Sequence, residues 1–182
     1  MHLHALPTLL FLTTSVLANA LLPRSDCSLK TKATTIAGSK ATVTGPFALK
    51  VSAASSVNQA GNRAYGVGGG KIVFDIPPSN ADAATSFYLN NEGHFILIDG
   101  GKVYTAYEKD ADATGNMILG TSKSTNLKCS VDKGSCELKC KVDGGSYNCL
   151  ASPKDKPDWC IGKSKGSVAG NCIPFTPVIV PR

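Results

Sequence analysis

Apolar and polar residues alternate most regularly between Phe87 and Thr105, where the chain reads FYLNNEGHFILIDGGKVYT. Phe87 and Leu89, then Phe95 and Leu97, stand two apart, and Val103 begins a third run. That is the spacing of residues sharing one face of a β-strand. Asn91-Glu92-Gly93 and Asp99-Gly100-Gly101 separate the runs, and such residues suit tight turns because Gly adopts positive φ without steric cost. The pattern predicts strand, turn, strand, turn, strand: the central meander of an all-β domain.

The rest of the chain reads in the same language. Residues 25–45 are Thr-rich, with Ile36 and Val43 as inward positions, and predict one or two edge strands. Lys30, Lys32 and Lys40 would discourage edge-to-edge pairing. Pro46 is expected to open a new element, in which Phe47, Leu49 and Val51 alternate as a strand. Residues 52–70 are small, polar and Gly-rich, a loop around a short strand at Tyr65–Val67. Lys71–Ile76 predicts a strand stopped by Pro77-Pro78, which cannot donate ladder hydrogen bonds. Residues 79–86 bridge to the meander, residues 108–116 form a turn cluster, and Met117–Leu119 resumes a strand. No amphipathic helix of more than two turns is visible. The expected fold is an antiparallel barrel or sandwich.

Segment 127–147 echoes the meander: Val131-Asp-Lys-Gly134 resembles the first turn, and Val142-Asp-Gly-Gly145 the second. Strand openings at Phe47, Phe87 and Leu127 are spaced by about 40 residues, a period that fits a blade- or β-trefoil-like unit.

Residues 1–20 change the picture of where the protein works. An apolar core, Leu9–Leu12, precedes Ala18-Asn19-Ala20, a small-x-small cleavage signature, which predicts a secretory signal peptide. The apolar run is too short for a membrane anchor, since about 20 apolar residues are needed to span a bilayer, so no stable membrane insertion is expected. Residues 21–182 then form a single β domain. All seven cysteines, Cys27, Cys129, Cys136, Cys140, Cys149, Cys160 and Cys172, lie in it, and six fall within 127–172. Export makes disulfides their default state and the C-terminal third a stapled unit. The spacing does not choose a pairing, and an odd number leaves one cysteine over.

Charge is also uneven. From Lys123 onward ten Lys/Arg face five Asp/Glu, against nine and eight between Leu21 and Ser122. Nearly all the excess is Lys, a hydrated point charge suited to solubility or loose attraction to anionic surfaces. The basic end has few aromatics interleaved with it, which argues against nucleic-acid binding.

Candidate chemistry is sparse. His94 is the only histidine after the signal segment, so any Ser-His-Asp or Cys-His site would have to use it. Gly66, Gly68 and Gly70 lack the following helix that a phosphate loop requires. The cysteines lack the paired spacing of a zinc site. Asp110-Ala-Asp112-Ala-Thr114-Gly115 imitates a calcium loop, but Thr121 replaces the bidentate Glu that closes the shell. Glu92, Asp99, Glu108 and Asp143 supply carboxylates without marking the pair that a glycosidase needs. Neither catalytic residues nor a metal or other cofactor is therefore expected.

Phe47-x-Leu49-x-Val51 with its Ser55–Asn58 loop, the Phe87-Tyr-Leu…Gly93 strand pair, and Cys149…Trp159-x-Ile161 with Cys172 resemble a fungal family of small secreted proteins typified by the cell-wall protein phiA. The resemblance spans most of the mature chain, though the density of Cys129, Cys136 and Cys140 departs from it. It implies an extracellular or wall-associated, non-enzymatic role linked to development of conidium-bearing cells, with wall polysaccharide or a wall protein as partner. Small size, cysteine density and basic charge fit a second expectation equally: a secreted effector, virulence factor or antigen meeting a host protein. A hydrolase centred on His94 or a turn carboxylate ranks last.

Overall fold

The computed structural model describes residues 27–36, 39–52, 59–108, 117–121, 127–142, 145–151, 160–162 and 172–182. The expected signal segment, the calcium-like loop Asp110–Asn116, and Asp143 lie outside them. The described chain is all-β and antiparallel, in open sheets rather than a closed barrel. The barrel alternative, and the trefoil-like arrangement that depends on one, therefore give way to curled open sheets.

The strands are β1 (Thr31–Ile36), β2 (Ser39–Val51), β3 (Arg63–Gly66), β4 (Ile72–Ile76), β5 (Phe87–Asn90), β6 (Phe95–Asp99), β7 (Lys102–Glu108) and β8 (Met117–Gly120). They continue with β9 (Lys128–Val131), β10 (Leu138–Val142), β11 (Gly145–Ser146), β12 (Cys149–Ala151), β13 (Cys160–Gly162), β14 (Cys172–Pro174) and β15 (Pro177–Pro181). The main sheet runs β14-β12-β13-β4-β3-β2-β5-β6-β7-β8, with β1 and β15 also paired to β2; β9, β10 and β11 form a separate three-stranded sheet. The predicted meander is present as β5-β6-β7, and its echo as β9-β10-β11. The two belong to different sheets.

The hub of the main sheet is β2. One edge pairs with β1 through residues 39–44 and with β15 through residues 47–51; the other meets β5 and β3. Pro46 does not open a new element, contrary to the expectation from sequence. It lies inside β2, where the register with β5 shifts between Thr44 and Phe47. A β-bulge of this kind accommodates a residue that lacks an N–H donor. Gly45 makes the bend possible: its φ is +134°, and a Cβ there would stand 2.9 Å from the Phe87 carbonyl oxygen. Pro77-Pro78 ends β4 as expected, but the bridge that follows contains a short 3-10 helix, Pro78–Ala83.

The core lies on one face of the curled sheet. Phe47, Phe87, Leu97 and Tyr104 stand opposite one another across β2, β5, β6 and β7. Phe95 stacks on Phe87 with ring centroids 4.8 Å apart and tilts against Phe47 at 6.0 Å. Offset aromatic contacts of this sort add to area burial. Leu49, Ile72, Phe74, Met117 and Leu119 complete the cluster. Backbone bonds between Leu119 and residues 69–70, with an isolated bridge from Lys71 to Ile118, bring the β8 edge back toward β4.

The small sheet contributes Leu138, Cys129 and Cys140 to the same core, and Tyr147 joins them just after β11. Cys129 and Cys140 face each other in the β9–β10 register and form a disulfide. Backbone bonds fasten this sheet at both ends: the Cys129 amide donates to the Gly93 carbonyl at 2.7 Å, and the Ile179 amide to the Cys136 carbonyl at 2.9 Å.

Candidate functional site at the junction of the two sheets

The turn joining β5 to β6 is built by Asn90. Its Oδ1 accepts the amides of Glu92 (3.0 Å) and His94 (2.8 Å), an Asx-type arrangement that substitutes for backbone pairing. Gly93 occupies positive φ (80°), and a Cβ there would lie 3.1 Å from the Cys129 carbonyl. The close approach lets the turn touch β9. Lys128 then reaches across, its Nζ donating to the Glu92 carbonyl at 3.1 Å and contacting His94 Nε2 at 2.8 Å.

These contacts define the imidazole. An ammonium group has donors only, so Nε2 must offer its lone pair and the neutral ring carries its proton on Nδ1. Nδ1 lies 3.2 Å from Glu92 Oε2, within ion-pair distance. The Asn90 Nδ2 group, 3.3 Å from the same nitrogen, is then a neighbour rather than a donor to it. Burial lowers the pKa of His94, the Lys128 charge lowers it further, and Glu92 partly opposes both. The ring is a neutral link between the two sheets. The sequence marks His94 as the lone candidate imidazole; the fold supplies Glu92 from its own turn and Lys128 from 34 positions away.

A second turn, between β9 and β10, frames the other side of the junction. Asp132 Oδ1 accepts the amides of Gly134 (2.9 Å) and Ser135 (3.2 Å), while Oδ2 pairs with Lys139 Nζ at 2.8 Å. The Lys139 bond and the two amides hold the Asp132 carboxyl at a pKa of about 2. Lys139, bonded chiefly to Asp132, has its pKa raised in turn.

Cys27, in the segment before β1, docks on this turn. Its thiol donates to the Lys133 carbonyl at 2.9 Å, and the Cys136 side chain lies beside it. The Cys136 contact, followed by burial, pushes the Cys27 thiol pKa up. Between this segment, β2, β5 and β9 lies a cleft of about 460 Å³, walled by Leu29, Leu89 and Val131 and edged by Ser28, Thr31, Thr44 and Lys133. Thr31 and Thr44 share a hydroxyl–hydroxyl bond of 3.0 Å at its side. A smaller cleft of about 250 Å³ separates β10 and β11 from residues 175–177. Hydroxyl-bearing residues, one lysine and apolar side chains line the larger cleft, a combination suited to polar, hydroxylated or anionic ligands.

The other residues flagged in sequence are dispersed. Asp99 is exposed at the end of β6, opposite Lys102. Cys149, Cys160 and Cys172 have their backbones in β12, β13 and β14, with Ala151 standing in register between Cys160 and Cys172. Among the described residues no three His, Cys, Asp or Glu side chains are grouped to hold a metal, and no helix is long and apolar enough to cross a membrane. Lys128, Lys133 and the Cys27–Cys136 contact carry no local sequence signal, because each acts on a residue remote in the chain. Neither a family model, nor a curated protein, nor a solved structure matches the chain.

Proposed function

We propose that this chain is a secreted, non-enzymatic structural or binding protein of the fungal cell wall or extracellular space, acting in the development of conidium-bearing cells. The wall setting and the developmental role rest on the family resemblance and on the signal-like N-terminus. One observation carries the non-enzymatic part of the reading. The only imidazole of the mature chain has its Nε2 engaged with Lys128 of the other sheet and its Nδ1 beside Glu92 of its own turn, so it serves the scaffold. Separately, the larger cleft is lined by Thr31, Thr44 and Lys133, which suit a hydroxylated polymer such as wall polysaccharide.

The test is to mix the purified protein with isolated wall fractions and, separately, to remove the protein from its source. Retention on the wall fraction and altered wall or sporulation support the reading. A protein that stays in solution, together with unchanged wall and sporulation on its loss, sinks it.

A further inference from the structure

Cys27 and Cys136 are brought together by the fold across more than a hundred residues of chain. Both are buried, only 5% and 1% exposed, and the Cys136 side chain lies close enough to Cys27 to push its thiol pKa up. One peptide carbonyl serves both residues: the oxygen of Asp132 accepts the Cys136 amide at 2.8 Å and lies 3.8 Å from Cys27 Sγ. Cys136 has a φ of 60°, a region that a non-glycine residue occupies only where its surroundings hold it there. Cys27 also lines the larger cleft.

We propose that Cys27 and Cys136 form a second disulfide, a clasp that fastens the segment before β1 to the β9–β10 turn and fixes one wall of the cleft. The oxidant is a low-molecular-weight disulfide of the secretory route. One cysteine thiolate attacks it, releasing one small thiol and leaving a mixed disulfide, and the second cysteine displaces the other small thiol. The two cysteine protons end on the two released thiols, and the two electrons reduce the small disulfide. With Cys129 joined to Cys140 and Cys27 to Cys136, the odd cysteine falls among Cys149, Cys160 and Cys172.

Peptide mapping tests this on the full chain as secreted, without any variant. A Lys or Arg separates every neighbouring pair of cysteines, so trypsin places each in its own peptide. After alkylation without reductant, the peptide ending at Lys30 should be joined to peptide 134–139 and separate from it on reduction. Recovery of either peptide alkylated, or joined to a different cysteine, overturns the proposal. A thermal comparison supplies a second readout. Cys27→Ser, Cys136→Ser and the double variant should each melt about 10 °C below the oxidised protein, by the same amount. Single effects that add in the double variant, or no shift in any of the three, contradict the clasp.

Discussion

His94 owes its state to burial and then to Lys128, against the opposing Glu92, which makes its titration a direct probe of the junction. Its pKa lies below the ordinary 6.5, so the folded protein binds this proton less readily than the unfolded chain. The resulting stability is fully present above pH 6.5 and is lost as pH falls through the folded pKa. An NMR titration should show the His94 pKa rising toward 6.5 in Lys128→Ala and falling further in Glu92→Gln; an unmoved titration in Lys128→Ala contradicts the assigned contact. Asp132 behaves as the acidic counterpart. Its pKa is held at about 2 against an ordinary 3.8, so what it contributes to the β9–β10 turn persists above pH 3.8 and disappears as pH falls through about 2. Amide exchange at Gly134 and Ser135 should stay slow at pH 4 and accelerate near pH 2 beyond the intrinsic change. In Asp132→Ala the two amides should exchange fast at both pH values.

Among the elements, β2 decides the architecture, and its bulge is its most demanding point. Gly45→Ala would place a methyl group 2.9 Å from the Phe87 carbonyl in a backbone conformation that L-residues rarely adopt. Urea denaturation should show a loss of about 1–3 kcal/mol. Unchanged stability would mean that the bulge relaxes freely. This strand also marks how far the sequence could be read. Phe87-x-Leu89 and Phe95-x-Leu97 declare their strands locally, since alternation and a turn residue lie within ten positions, and β5, β6 and β7 appear where that pattern puts them. The passage of β2 through Pro46 was not legible, because the proline is tolerated only by virtue of a register shift against β5, some 40 residues away. His94 stood out as the one imidazole, whereas Lys128 looked like any surface lysine until the fold set it beside the ring. Cys27 and Cys136 were visible as cysteines and invisible as neighbours.

At the scale of the molecule, two antiparallel sheets share one core, and the small sheet is held by a disulfide within it and by backbone bonds at its rim. The Cys129–Cys140 link closes a short loop. Replacing both residues by Ala should cost about 3 kcal/mol in chemical denaturation. A loss near zero would place the small sheet's stability in its packing alone. The cleft exists because these sheets meet, so the proposed ligand binding there would depend on the whole assembly rather than on any one strand. Co-sedimentation with insoluble wall polysaccharide is the most direct test of that function. The wild-type protein should bind saturably, Lys133→Glu should bind about tenfold more weakly, and Lys102→Glu, the same charge change at the start of β7, should match wild type. Wild-type protein that stays in the supernatant, or equal weakening by both variants, would contradict a binding role for this cleft.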